Sequence, residues 1–137
     1  MNPKTFVSML LVGAAYYAGA WTGVHQTITP EGIAVLWPPN AILLSAFLVL
    51  PYRRWPLIAL AAMAAEILAD VPVFPLWAAG AFGMVNIFEA SLAAVLVRRF
   101  VSAPFNFDRL RSGWFFLLFG PLLVSGFAAL LGAGVYI

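Results

Sequence analysis

The chain has 137 residues, 64% hydrophobic and 9% charged, with seven Lys and Arg, five Asp and Glu, and a formal net charge of +2. Soluble domains carry about a quarter charged residues, so a water-covered surface is excluded. The absence of cysteine and the single histidine, His25, exclude disulfides, thiolate or multi-histidine metal centres and cysteine nucleophiles.

The seven basic residues sit between apolar stretches and read as topology signals, not as a nucleic-acid-binding face. A membrane-spanning helix needs about 20 apolar residues. Thr5 to Val24 meets that requirement without a charge, between Lys4 and His25. A signal peptide is the competing reading, with Lys4 as its basic region and Ala18-Gly19-Ala20 as a cleavage site. The stretch is as long as a span needs, which favours the span.

The next stretch, Gly32 to Leu50, is uncharged but interrupted by Trp37-Pro38-Pro39-Asn40. Proline inside a helix loses a hydrogen bond and clashes, and it pushes the preceding residue out of helical geometry. The pattern predicts extended or re-entrant backbone over Ile33 to Trp37, then a helix from about Pro39 to Leu50. That helix is too short to span alone, and irregular backbone at depth is tolerated only against protein or a wet cavity.

Pro51 to Pro56 is a tight turn carrying Arg53, Arg54, Tyr52 and Trp55, residue types expected at a membrane interface. Leu57 to Val71 is the third predicted span, Leu76 to Val97 the fourth. A polar loop is expected from Arg98 to Gly113. Trp114 to Tyr136 is the fifth predicted span, kinked at Pro121. With the N-terminus in the cytoplasm, Lys4, Arg53, Arg54, Arg98, Arg99, Arg109 and Arg111 all fall on the cytoplasmic side. The fold class is therefore an all-α polytopic transmembrane helix bundle of about five membrane segments, forming one domain over 1–137. An odd span count and an apolar ending at Ile137 suggest a portion of a longer membrane domain.

Polar residues at membrane depth are the candidates for function. Glu66 and Asp70 share a face of the third span at i, i+4 spacing, with Asp70 nearer the outer surface. Asn86 and Glu89 share a face of the fourth at i, i+3. Two acids at that depth are expensive and point to function. Protonated Glu and Asn acting as interhelical glue is the structural alternative, favoured for Asn86 alone. Trp37, Pro38, Pro39 and Asn40 read either as a binding element, exposing backbone and a helix N-terminus at depth, or as a rigid helix start. Gly19 and Gly23, and Ala79 and Gly83, have small-residue spacing for close helix contact. Tyr16, Tyr17, Trp21 and Trp77 fit aromatic belts, and His25 and Glu31 read as exposed loop residues. No nucleophile–base pair, phosphate-binding glycine loop or metal-spacing motif occurs, so neither an enzyme nor a cofactor or metal is expected.

Gly32-Ile33-Ala34-Val35-Leu36-Trp37-Pro38-Pro39-Asn40-Ala41 resembles the signature of the MASE1 family of membrane-associated sensor domains. Further matching features follow in order. They are Arg53-Arg54-Trp55-Pro56, Ala65 to Asp70, Asn86 to Ala90, Arg98-Arg99, Phe107 to Arg111, Pro121 to Ser125, and Gly132. Members of that family are N-terminal sensory modules of about eight spans feeding bacterial histidine kinases or diguanylate cyclases, and this chain matches the first five. The resemblance implies a sensory domain of the bacterial inner membrane, with a cytoplasmic output domain as partner and Trp37, Pro38, Pro39 and Asn40 as pocket wall. Glu66, Asp70, Asn86 and Glu89 would then line the pocket for a small molecule or ion. A homodimer, an ion-coupled transporter or channel fragment, and a structural membrane subunit stay open as alternatives.

Overall fold

A computed structural model of the protein describes residues 3–27, 29, 36–71, 73–100, 110–118 and 122–135. Among the described residues six α-helices follow one another: α1 (Pro3–Gln26), α2 (Pro38–Val49), α3 (Trp55–Asp70), α4 (Leu76–Phe100), α5 (Leu110–Leu117) and α6 (Leu123–Val135). A single 3-10 turn, Tyr52–Arg54, joins α2 to α3. Among the described residues the regular structure is entirely helical.

Four helices close a ring. α1 packs on α2 and α3, and α4 packs on the other sides of the same two, so α1 and α4 face each other across it. α6 lies outside, against α4. The inward faces are made of small residues at helical spacing. They include Ala20 and Gly23 on α1, Ala62, Ala65 and Ala69 on α3, and Ala79, Gly83, Ala90 and Ala94 on α4. Tyr16, Leu43, Phe47 and Ile58 fill the middle. Large aliphatic side chains point out instead, among them Leu11, Leu60, Leu68 and Met84, and Val49 is 82% exposed. A protein in water prefers the reverse. Small residues inside and large apolar ones outside is the packing of helices in lipid, where burial of apolar surface gives no net drive.

Two helices, α1 and α4, are long and apolar enough to cross a bilayer alone. α2 is 12 residues long and α3 is 16, or about 18 and 24 Å at 1.5 Å per residue, short of a hydrocarbon core about 30 Å thick. The short α2 matches the expected helix start at the proline pair. Leu36 and Trp37 are non-helical, Trp37 having φ −127° and ψ 75°, and the prolines occupy the first helical positions.

The expected polar loop from Arg98 to Gly113 is corrected at both ends. α4 continues through Arg98 and Arg99 to Phe100, and α5 begins at Leu110. Arginine is a good helix former, and a cation in the last turn complements the helix dipole. Where one fifth span from Trp114 is expected there are two helices, α5, which starts ahead of it at Leu110, and α6, while Pro121 and the proposed kink fall outside the described residues. His25 belongs to the last turn of α1 instead of a loop, where it stacks on Trp21. Glu31 falls outside the described residues.

Two glycines set how closely the helices approach. A Cβ on Gly23 would stand 2.7 and 2.8 Å from the Trp37 ring and 3.0 Å from the Leu36 carbonyl. A Cβ on Gly83 would meet the Met63 sulfur at 2.7 Å, the movable part of a flexible side chain. Gly23→Ala is therefore expected to destabilise by overpacking, by about 1–3 kcal/mol. Gly83→Ala should cost less. Thermal melts of both variants in detergent check the order, and a costlier Gly83→Ala would contradict the close seating of Trp37.

Candidate functional site

Each helix of the ring turns at least one polar side chain inward. α3 contributes Glu66 and Asp70, whose places at i, i+4 on the alanine-rich face put both inside; they are 0% and 1% exposed. α4 contributes Asn86 and Glu89, and α2 contributes Asn40 from its first turn. α1 contributes Tyr16, which is 0% exposed.

Hydrogen bonds sort these residues into two linked clusters. In one, Asn86 Nδ2 donates to Glu66 Oε1 at 2.5 Å, tying α4 to α3. Asp70 stands one turn beyond Glu66. The buried Tyr16 hydroxyl of α1 stands beside the Glu66 carboxyl and the Asn86 amide. In the other, Asn40 Nδ2 donates to Glu89 Oε2 and Ser125 Oγ donates to Glu89 Oε1, each at 2.5 Å. Glu89 thus joins α2 and α6 to α4. Asn86 and Glu89 sit one turn apart on α4, so this helix carries both clusters. The three donors are two neutral amides and a hydroxyl, which answer Glu66 Oε1 and both Glu89 oxygens without adding charge.

Several buried polar atoms have no hydrogen-bond partner among the described residues: Tyr16 Oη, Trp37 Nε1, Asn40 Oδ1, Glu66 Oε2 and Asp70 Oδ1. An unsatisfied buried polar group costs about 1–3 kcal/mol, so five of them near one interior mark a polar centre instead of a sealed core.

The start of α2 leaves few backbone donors unpaired. The first four N–H groups of a helix lack internal acceptors. Pro38 and Pro39 have no N–H, which removes two of those donors. Thr27 holds the segment before them: its hydroxyl accepts from the Leu36 amide at 3.2 Å and donates to the Gly23 carbonyl at 2.8 Å. Pro38 and Pro39 rest on Gly19, and Trp37 on Gly23. Of the four predicted wall residues, Asn40 reaches the carboxyl clusters directly, while Trp37, Pro38 and Pro39 pack on α1.

Three residues were not anticipated as part of this arrangement. Tyr16, expected in an aromatic belt, is in the core; Tyr17, Trp21 and Trp77 are exposed. The signal was present, since Tyr16 shares a helical face with Ala20 and Gly23. Ser125 is the polar residue of α6 that meets Glu89, and a lone serine gives no such signal. Arg98, read only as a topology marker, donates from one guanidinium nitrogen to the carbonyls of Phe47, Leu48 and Leu50 at 2.7, 3.0 and 2.7 Å. Its guanidinium also lies over Tyr52 and Trp55, 4.6 and 5.4 Å from the ring centres. This caps the C-terminus of α2, where carbonyls lack partners and the dipole favours a cation.

The MASE1 family model matches residues 7–137, essentially the whole chain. No curated protein and no solved structure matches it. The chain belongs to the MASE1 family of membrane-associated sensor domains, which is sensory and not catalytic.

The Glu66–Asn86 contact has a measurable strength. A double-mutant cycle with Glu66→Leu and Asn86→Leu should give a coupling energy of about 0.6–1.7 kcal/mol, the range found for hydrogen bonds between membrane helices. Unfolding in mixed micelles reads it, and a coupling of zero would place the two side chains apart.

Proposed function

We propose that this MASE1 domain detects a signal at or within the bacterial inner membrane and relays it, as a shift of helices, to a cytoplasmic histidine kinase or diguanylate cyclase output domain. The observation that carries the reading is the shared polar interior of the ring, to which α1, α2, α3 and α4 each bring a polar side chain. A ligand that binds there touches all four helices at once. It shifts the bundle to the extent that it binds one helix arrangement better than the other.

The proposed topology has five membrane segments and a cytoplasmic N-terminus. Helix directions support it. Gly13 meets Ala61 while Tyr16 lies near Glu66, so α1 and α3 run parallel. Asn40 meets Glu89 while Leu48 meets Arg98, so α2 and α4 also run parallel. Lys4, Arg53, Arg54, Arg98 and Arg99 consequently gather at one end of the bundle, as the positive-inside rule asks of a cytoplasmic end. Measured from that end, Glu89 lies about 14 Å along α4 from Arg98, and Glu66 about 18 Å along α3 from Arg54. Both carboxyls then sit in the middle of a core about 30 Å thick, where ionisable groups are costly and functional by default.

α4 is suited to carry the response. It touches α2, α3 and α6, bears Asn86 and Glu89 in the interior, and bears Arg98 at the cytoplasmic end. A change of partners at Glu89 alters the seating of α2 and α6 on the same rod that ends at Arg98.

Two outcomes follow. Replacing Trp37 and Asn40 together in the intact signalling protein should change its output while its membrane level holds, read by kinase or cyclase activity in membranes. An unchanged response would count against the interior as the sensing site. For topology, a cysteine placed at Glu31 should react with an impermeant maleimide added from the periplasm and one placed at Arg109 should not. Labelling at 109 would remove the five-segment arrangement.

A further inference from the structure

The end of the bundle opposite Asp70 carries cations that the described residues leave without counter-charge. Arg98, from the last turn of α4, donates to the Leu50 carbonyl, 48 residues away, and lies over the Tyr52 and Trp55 rings. Those contacts seat the last turn of α4 on the Tyr52–Arg54 turn. Arg99 on the first and Arg53 and Arg54 on the second therefore belong to one patch. Arg53 and Arg99 are exposed and Arg54 is half-buried. None of these three side chains has an ion-pair or hydrogen-bond partner among the described residues. The nearest acids along the same helices are deeper, Glu89 about 14 Å from Arg98 and Glu66 about 18 Å from Arg54.

An independent observation is the apolar surface beside this patch. Val95 precedes Arg99 by four residues, so the two share a face of α4, and Val95 is exposed. Val49, the last residue of α2, is exposed beside the turn that bears Arg53. Three cations thus stand at the edge of bare apolar helix faces. Arginine forks match the oxygens of a phosphate, and basic clusters at the ends of membrane helices attract anionic headgroups. A phospholipid presents the matching order, a phosphodiester above acyl chains. A free phosphate would engage the guanidinium groups and leave the apolar faces unused, so the two halves of the surface together favour the lipid.

We propose that Arg53, Arg54 and Arg99 bind the headgroup of an anionic phospholipid, whose acyl chains lie along the exposed faces of α2 and α4. Arg98 already ties the turn before α3 to the end of α4, and a headgroup held from both sides adds a second bridge between them. The inference rests on the proposed topology only in placing this end of the bundle at a membrane surface.

The full chain in phosphatidylcholine nanodiscs, with phosphatidylglycerol added in steps, tests this by thermal melts and by native mass spectrometry of the lipids retained on release into detergent. Phosphatidylglycerol should be retained severalfold over phosphatidylcholine. It should also raise the melting temperature saturably, because a ligand that binds the folded form stabilises it by mass action, and added salt should weaken both effects. Inorganic phosphate at matched ionic strength should produce neither. Arg53→Gln, Arg54→Gln and Arg99→Gln combined should abolish the preference and leave the melting temperature in pure phosphatidylcholine unchanged. A response that grows with phosphatidylglycerol content without saturating reports general surface attraction and overturns the site, as does a preference that survives the triple variant. Equal stabilisation by inorganic phosphate overturns the lipid assignment. Should the triple variant fail to fold, Arg53→Gln and Arg99→Gln decide singly. Each should lower retention severalfold, and unchanged retention in both overturns the proposal. Periplasmic labelling at position 109 with the lipid preference intact would remove the five-segment topology and leave the site standing. The expected labelling with no lipid preference would do the reverse.

Discussion

A bilayer interior offers no water to a carboxylate, so every oxygen placed there has to be answered by the protein or by something the protein holds. Glu89 is the residue on which this constraint acts most visibly. Its two oxygens are each taken by a donor from a different helix, Asn40 on α2 and Ser125 on α6. One side chain therefore fixes three helices against one another. Glu66 is answered on one oxygen only, by Asn86. The two acids differ in this way although their partners on α4, Asn86 and Glu89 itself, stand one turn apart.

The same constraint explains the shape of α2. A short helix among apolar neighbours exposes amides at one end and carbonyls at the other. Here Pro38 and Pro39 delete amides at the first end, and Arg98 supplies donors to carbonyls at the second. Thr27 covers the amide just before the prolines. Asn40 near the start and Arg98 near the finish both connect α2 to α4, so the short helix is pinned along its length to one neighbour. Broken helices often imply a site made of bare backbone; at α2 the prolines and Arg98 answer part of that backbone, while the Trp37 and Asn40 side chains hold buried polar atoms without a hydrogen-bond partner among the described residues.

Much of this was legible from residue spacing. The i, i+4 pair Glu66 and Asp70 and the i, i+3 pair Asn86 and Glu89 had to share faces, because helical periodicity leaves no choice. The break at Trp37-Pro38 followed from proline sterics alone. The helical continuation through Arg98 was missed because charge was read as loop, although a cation in a last turn is favourable. Tyr16 was misplaced by weighing residue type above its face, which it shares with Ala20 and Gly23. Which acid met which amide was not legible, since Asn40 and Glu89 are 49 residues apart and their meeting depends on how α2 is seated. Ser125 and the capping role of Arg98 are of that kind too, being fixed by tertiary packing with no local pattern to announce them.

The packing also bears on how such a domain can respond at all. Small residues let α1, α3 and α4 approach closely, and small-residue contacts in lipid are held by shape and by a few hydrogen bonds, not by a large burial term. Each interhelical polar contact is therefore a sizeable share of what holds two helices in register. An event that adds or removes one such contact changes the balance between arrangements by about as much as a single contact contributes, on the order of 1 kcal/mol, or about fivefold in a population. That is enough to move a bundle poised between two states, and too little to move one locked by a deep hydrophobic core. The polar interior and the alanine- and glycine-rich faces therefore belong together, since weak packing leaves a few polar contacts to decide how the helices sit.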